Sequence, residues 1–128
     1  MPTETRRTLG QKGEEEAARF LARSGYAILD RNVRTRAGEI DLVAKEGKTL
    51  VFVEVKTRKD VAEAAEPPQA AVRTRKQNRL GKLALVYLRA KRLRQVPCRF
   101  DVVSVIVNDE GGVKAIRHIP NAFSVAPW

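Results

Sequence analysis

Apolar positions near the start of the chain recur with a helical period. Ala17 and Leu21 fall on one stripe, and Thr8 and Gln11 have the spacing of a capping box, which satisfies backbone N–H groups at a helix start. These features predict a first helix over residues 10–24.

Three segments rich in β-branched residues follow, and turn-forming residues separate them. They predict strands over residues 26–33, 39–45 and 49–57. The turn between the last two contains Gly47, where a positive φ has little steric cost. The second and third strands are therefore expected to form an antiparallel hairpin.

A long helical pattern and two further strands complete the chain. The Pro67-Pro68 pair excludes helix before it, and the pattern predicts a second helix over residues 70–94. The apolar stripe of this helix contains Val72, Leu80, Leu83, Ala84 and Tyr87. Strands are predicted over 100–107 and 113–119. The order αβββαββ predicts an α/β fold, a mixed five-stranded sheet flanked by helices. We expect one domain over residues 1–128, with peripheral segments at about 1–8 and 120–128.

Charged residues interrupt the most strand-like segment of the protein. Glu54 and Lys56 interrupt the otherwise apolar segment 51–56, and Asp41 interrupts a similar segment, 38–43. A near-continuous apolar strand is typical of the centre of a sheet, where both faces are covered. Because a buried charge is costly unless it is paired, we expect something to offset it, and a divalent cation is the leading candidate.

The hairpin register decides whether these charges meet. If Gly47-Lys48 is a two-residue loop, Asp41 lies opposite Glu54, and Glu39 lies opposite Lys56. All four would share one face of the sheet. The other face would carry Ile40, Leu42, Val53 and Val55.

Two carboxylates on adjacent strands can hold Mg²⁺ or Mn²⁺, which prefer oxygen ligands. Lys56 would then orient or deprotonate the attacking water, or balance charge on a phosphate. The alternative is a solvated polar face with a Glu39–Lys56 ion pair worth at most about 1 kcal/mol.

The net charge of +10, from 25 Lys+Arg against 15 Asp+Glu, is unevenly distributed. No acidic residue occurs between Pro67 and Phe100. Such a basic segment favours polyanionic partners, with nucleic acid first. A membrane surface, an acidic protein and a solvated helix face are the alternatives.

The cysteine content and the apolar runs bear on the compartment. The single cysteine, Cys98, excludes an internal disulfide and predicts a small buried residue in a reduced compartment. No apolar run approaches the ~18 residues of a membrane span, and residues 1–7 lack an apolar signal core. We therefore expect a cytoplasmic location without membrane contact. His118, the only histidine, predicts a structural or exposed role, and Asp101 an ion-pair or capping role.

Several stretches resemble a known family. Residues 38–43 and 51–58, with Gly13-Glu14, residues 75–77 and residues 98–103, are similar to the YraN-type family of uncharacterised bacterial proteins. That family resembles a branch of the PD-(D/E)XK nuclease superfamily, close to the archaeal-type Holliday junction resolvases. The resemblance implies a restriction-endonuclease-like fold.

The resemblance also implies roles for individual residues. Asp41 and Glu54 match the metal ligands, Lys56 the catalytic lysine, and Glu14 a helix carboxylate beside the metal. Glu39, on the same predicted face of the hairpin, is a candidate accessory group. The resemblance implies a Mg²⁺- or Mn²⁺-dependent endonuclease on DNA, including branched DNA, and a homodimer if two symmetric strands are cut. Nucleic-acid contacts are expected from Arg34, Arg36, Arg58, Arg73, Arg75, Lys76, Gln77, Arg79 and Lys82. Two alternatives stay open, a non-catalytic nucleic-acid-binding protein on this scaffold and an adaptor that binds an acidic protein.

Overall fold

Seven elements follow one another in the predicted order αβββαββ. The structure is a computed structural model and describes residues 8–59 and 74–124. The elements are α1 (Leu9–Arg23), β1 (Ala27–Thr35), β2 (Gly38–Glu46), β3 (Thr49–Lys59), α2 (Thr74–Ala90), β4 (Cys98–Val107) and β5 (Val113–Phe123). The predicted fold class is confirmed. Arg73, Val72 and the Pro67-Pro68 pair lie outside the described residues.

The five strands form one mixed sheet in the order β1-β2-β3-β4-β5. Only β3 and β4 run parallel, and α2 lies between them in the chain. The other neighbouring pairs are antiparallel. This arrangement is consistent with a restriction-endonuclease-like fold and makes β3 the central strand.

The helices cover opposite faces of the sheet. Val51, Val53 and Val55 of β3 pack into one buried cluster with Ala17 and Leu21 of α1. The alternate β3 residues pack into a second cluster with α2, which contains Leu50, Phe52, Leu80, Leu83, Ala84, Tyr87 and Phe100. Since side chains alternate along a strand, β3 is covered on both faces, as its near-continuous apolar sequence predicted.

The ends of α1 follow the sequence. Thr8 Oγ1 accepts from the Gln11 N–H at 3.0 Å, and Gln11 Oε1 accepts from the Thr8 N–H at 3.0 Å, which completes the capping box. Gly25 follows the helix with φ of 97°, a value that costs glycine little.

The end of α2 comes earlier than the predicted residue 94. After Ala90 the Arg92 N–H bonds Arg89 O, and the Leu93 N–H bonds Leu88 O. With Arg92 at φ of 56°, these bonds form a Schellman motif that ends the helix. Glycine usually occupies the position of Arg92, so the sequence did not indicate this stop. None of the helices in the described ranges is long and apolar enough to cross a membrane.

The hairpin register is confirmed from Glu46–Thr49 up to the pair Leu42–Val53. Beyond that pair β2 leaves β3, so the expected opposition of Asp41 with Glu54 is wrong. Asp41 instead accepts the Val55 N–H through Oδ2 at 2.8 Å. The side chain thus satisfies a β3 backbone group at the point where the strand ladder ends.

The predicted face of Ile40 is also wrong, because Ile40 packs in the α2 cluster whereas Leu42 packs in the α1 cluster. The neighbouring strand explains the change. Asn32 of β1 has φ of 51°, and the pairing of β1 with β2 omits Asn32 and Asp41. A left-handed residue breaks strand alternation, so the faces switch at this position.

The far end of the sheet is held by a buried carboxylate. Asp101 accepts bonds from Arg99 Nε at 3.0 Å and from the Asn121 N–H at 2.9 Å, and it lies 2.7 Å from His118 Nε2. The β4–β5 register shifts at this point. The predicted ion-pair role of Asp101 and structural role of His118 are therefore confirmed, and β5 continues past residue 119 to Phe123, which stacks on Phe100.

One glycine allows α1 to lie directly on β3. A Cβ placed on Gly13 would lie 1.8 Å from Thr57 Oγ1 and 2.8 Å from Thr57 Cβ. Atoms cannot approach so closely, so any larger residue must push the helix and strand apart. Because Glu14 follows Gly13, this contact also sets where Glu14 is held.

We expect Gly13→Ala to lower the free energy of unfolding by about 1–3 kcal/mol, the usual range for overpacking. Adding Thr57→Gly to this variant removes the clashing atoms. The double variant should recover part of the lost stability, apart from the cost of placing glycine in a strand. Gly10→Ala is the control, because nothing lies within 4 Å of a Cβ there, and it should be neutral or stabilising. Urea unfolding measures each variant. Equal effects of Gly13→Ala and Gly10→Ala would contradict the close contact.

Candidate active site

Charged side chains gather where β2 separates from β3. Asp41 lies in the gap between the strands, Glu14 reaches it from α1, and Glu54 lies on the α2 face of β3. Both Glu14 and Glu54 act on the Asp41 carboxyl. The opening in the sheet therefore lets groups from both of its faces meet.

Three carboxylates converge on one side of this gap. One oxygen from each of Glu14, Glu39 and Asp41 lies within 4.8 Å of the other two, and all three residues are half-buried. With its side-chain amide oriented so that the nitrogen faces the carboxylates, Asn32 donates to Glu14 Oε1 at 2.8 Å and to Glu39 Oε1 at 2.9 Å. A neutral amide does not offset negative charge, and in the described part of the chain only Glu39 of this group has a cationic partner, Arg34 at 3.3 Å. The group is therefore suited to a cation.

Glu54, by contrast, is paired with positively charged side chains of the protein. It is 6% exposed, within the apolar centre of β3. Its Oε2 accepts a hydrogen bond from Lys76 Nζ of α2 and lies 3.8 Å from Lys56 Nζ. The Glu39–Lys56 ion pair of the alternative interpretation does not form, because Glu39 pairs with Arg34 at 3.3 Å and Lys56 lies beside Glu54.

Burial and the crowding of like charges raise the pKa values of two carboxyls in the site. Burial, and then repulsion from Glu54, raises the pKa of Asp41 to about 7, although the Val55 N–H opposes the shift. Burial and the neighbouring Glu39 carboxylate likewise raise the pKa of Glu14. Both groups hold protons more tightly than ordinary carboxyls, as expected where a cation would otherwise neutralise them.

The two lysines behave in opposite ways. Burial lowers the pKa of Lys56, and the neighbouring Lys76 lowers it further. Burial is the largest single influence on the pKa of Lys76 and would lower it. The hydrogen bond and charge attraction to Glu54, with smaller contributions from Lys56 and Asp41, together outweigh burial and raise the pKa. Lys76 is therefore the firmly charged partner of Glu54, and Lys56 is the lysine that gives up a proton more readily.

Basic residues border the site on the α2 side. Arg75, Arg79 and Lys82 line a surface hollow of about 640 Å³ beside the β1–β2 turn. Arg36 is exposed, and Arg58 and Gln77 are half-buried. Arg73 lies outside the described residues, so its expected contact with nucleic acid stays a prediction.

Two features of the site were not predicted. The first is Asn32, which binds two of the carboxylates. The sequence offered one signal for this role, the presence of an asparagine within a predicted strand. Lys76 was predicted as a phosphate contact, yet its ammonium lies on Glu54. That contact joins residues 22 positions apart, and helix periodicity gives no indication of such a partner.

Comparison with known sequences assigns the chain to a family. The profile of the uncharacterised protein family UPF0102 matches residues 13–105. The chain belongs to this family. The matched range contains the charged residues of the site, which are Glu14, Glu39, Asp41, Glu54, Lys56 and Lys76.

UPF0102 proteins from several bacteria are similar to the chain over nearly their whole length. The one from Symbiobacterium thermophilum is 50% identical over 117 residues, which are 91% of this chain and 97% of that protein. The one from Geobacter metallireducens is 48% identical over 120 residues, or 94% and 95% of the two chains. The one from Geotalea uraniireducens is 47% identical over 120 residues, or 94% and 92%.

The raised pKa of Asp41 predicts an unusual pH dependence of stability in this UPF0102 member. The unfolded carboxyl ionises near 3.8 and the folded one near 7, so between these values the folded state binds more protons. Without metal, the free energy of unfolding should therefore fall as pH rises through this window, by about 1–3 kcal/mol.

Urea unfolding with a chelator at about pH 5 and about pH 7.5 measures this loss. Asp41→Asn removes the titrating group and should flatten the profile. Asp109→Asn, which changes an exposed carboxyl of the β4–β5 turn, should keep the parent's slope. A parent protein that gains stability over this range would refute the shift.

Proposed function

We propose that the protein is a divalent-metal-dependent phosphodiesterase that hydrolyses nucleic acid, with DNA as the substrate. One observation carries this proposal, the convergence of Glu14, Glu39 and Asp41 oxygens within 4.8 Å at the strand gap. Lys56 stands on the neighbouring strand, paired with Glu54. Carboxylates from several elements beside a lysine are the groups that metal-assisted phosphate hydrolysis requires.

The donor set fits Mg²⁺ or Mn²⁺. Both ions prefer hard oxygen ligands and usually take one or two carboxylates, with water and phosphate oxygens in the remaining positions. Asp41, Glu14 and Glu39 would hold the ion, and Glu54 is the carboxylate next to them across the gap. The raised pKa of Asp41 supports this fit, because burial and repulsion from Glu54 both penalise its negative charge, and a cation would offset that penalty.

A bound divalent cation would supply an activated water and neutralise charge on the scissile phosphate. Lys56 would act on the same water. Its lowered pKa increases the neutral fraction of the amine, so Nζ can accept a proton from the attacking water. In its charged form the same group can stabilise negative charge on the phosphorus oxygens.

The substrate class rests on the surface beside the site. Arg75, Arg79 and Lys82 line the hollow next to the β1–β2 turn, and the exposed Arg36 lies in that turn. Contacts of arginine and lysine side chains with phosphates hold the nucleic-acid backbone and carry no information about the base sequence. Branched or structured DNA is favoured by the resemblance to junction resolvases, which is an analogy at the level of the fold.

A second candidate function is nucleic-acid binding without catalysis. The observation that favours it is the pairing of Glu54 with Lys76 and Lys56, which balances that buried carboxylate without metal. It predicts DNA affinity that falls steeply with salt and is unchanged by Mn²⁺ or by Asp41→Asn.

Cleavage assays test the proposal. With Mn²⁺ and branched, flapped, single-stranded and double-stranded DNA, the parent should cut at least one substrate, and EDTA should abolish cutting. Lys56→Ala should reduce the rate by about 100-fold or more, the usual contribution of proton transfer and charge stabilisation.

The matched control is Lys48→Ala, which removes an exposed lysine at the β2–β3 turn. It makes the same chemical change away from the carboxylates and should keep the parent's rate. If Lys56→Ala cuts as fast as the parent, the role given to Lys56 is wrong. If no DNA is cut and Mn²⁺ leaves DNA affinity unchanged, the binding function replaces the enzymatic one.

A further inference from the structure

Lys76 reaches the site from the beginning of α2. It is the third residue of that helix, and its Nζ donates to Glu54 Oε2. The Lys76 side chain is 39% exposed, whereas that of Glu54 is 7% exposed. The lysine therefore spans from solvent to a buried carboxylate on the central strand.

Glu54 needs a cation in any state of the protein. Breaking a buried ion pair leaves an uncompensated charge and is strongly destabilising. Lys56 alone is a poorer partner, because its Nζ lies 3.8 Å from Glu54 Oε2 and repulsion from Lys76 acts on it. Lys76 is therefore the main countercharge of Glu54 in the metal-free protein.

Glu54 is absent from the group of converging carboxylates. That group contains Glu14, Glu39 and Asp41, although repulsion from Glu54 acts strongly on Asp41. Glu54 is thus close to the group, but its carboxylate is engaged by Lys76. The same atom, Oε2, is held by Lys76 and is also the one nearest to Lys56.

We propose that Lys76 is a positioning residue that occupies Glu54 in the metal-free protein and releases it when a divalent cation binds. This inference rests on the proposed function. A cation held by Asp41, Glu14 and Glu39, and then joined by Glu54, would repel the ammonium and take over its role as countercharge. Because the Lys76 side chain is partly exposed, its ammonium can move to water without unfolding α2.

The exchange makes Lys76 and the metal competitors for one carboxylate. A cation that binds only when Glu54 is released has an apparent affinity equal to its intrinsic affinity multiplied by the fraction of protein in the released state. Removing the ammonium removes this competition. Loss of the Lys76 ammonium should therefore strengthen metal binding, whereas loss of a metal ligand or of a supporting contact would weaken it.

Calorimetric titration with Mn²⁺ tests the competition. Lys76→Met should bind Mn²⁺ more tightly than the parent, by about 5- to 150-fold, the usual range of coupling between sites. Lys76→Arg keeps a cation on Glu54 and should bind no more tightly than the parent. Lys48→Met, the same change at an exposed turn, should match the parent.

Amine labelling of the parent tests the release without any substitution. Mass spectrometry after a short acylation pulse should show that Lys76 reacts several-fold faster with saturating Mn²⁺ than with EDTA, because the freed amine is exposed. Lys48 should react equally in both conditions. This readout does not depend on the folding of Lys76→Met.

The outcomes separate the two proposals. If the parent binds Mn²⁺ but Lys76→Met binds equally or more weakly, and Lys76 labelling does not rise, the competition is overturned while the metal site stands. If neither the parent nor Lys76→Met binds Mn²⁺, the metal-dependent function falls and this inference with it.

Discussion

The hydrogen bond from the Val55 N–H to Asp41 Oδ2 is the interaction on which the site depends. It lies where the β2–β3 ladder stops after Leu42–Val53. A buried N–H without a partner is costly, so the carboxylate takes the place of the missing strand. This bond also fixes Asp41 in the gap, where Glu14 from one face of the sheet and Glu54 from the other act on it.

Charge balance explains the rest of the arrangement. Four carboxylates, those of Glu14, Glu39, Asp41 and Glu54, meet three cations, those of Arg34, Lys56 and Lys76. The cations lie on Glu39 and Glu54, whereas Glu14 and Asp41 have no cation of their own among these three. Burial first, and then repulsion from the neighbouring carboxylates, raises the pKa values of Glu14 and Asp41. Perturbed groups of this kind concentrate at functional sites.

Local rules in the sequence predicted most of the fold. Two hydrophobic periods indicated the element order, and the turn at Gly47 indicated the register of β2 on β3 as far as Leu42–Val53. The same register, applied to the charged positions, placed Asp41, Glu54 and Lys56 in one neighbourhood, because the hairpin brings their strands side by side.

The failures have physical causes. Strand alternation was extended through Asp41, but Asn32 on the neighbouring strand adopts a left-handed conformation that periodicity does not encode. The contact of Lys76 with Glu54 is tertiary and depends on how α2 packs on the sheet. The early end of α2 uses Arg92 where glycine is usual.

The Asp101 network has a mechanical consequence for the opposite end of the sheet. Arg99 joins Asp101 on β4 to Glu46 at the end of β2, and Asp101 holds His118 and Asn121 of β5. The bonds thereby tie β2 and β5 to β4, and sliding of one of these strands past another would break several bonds at once. These strands are held in fixed register, so the proposed cation would be admitted by rotation of side chains and would require no shift of the strands.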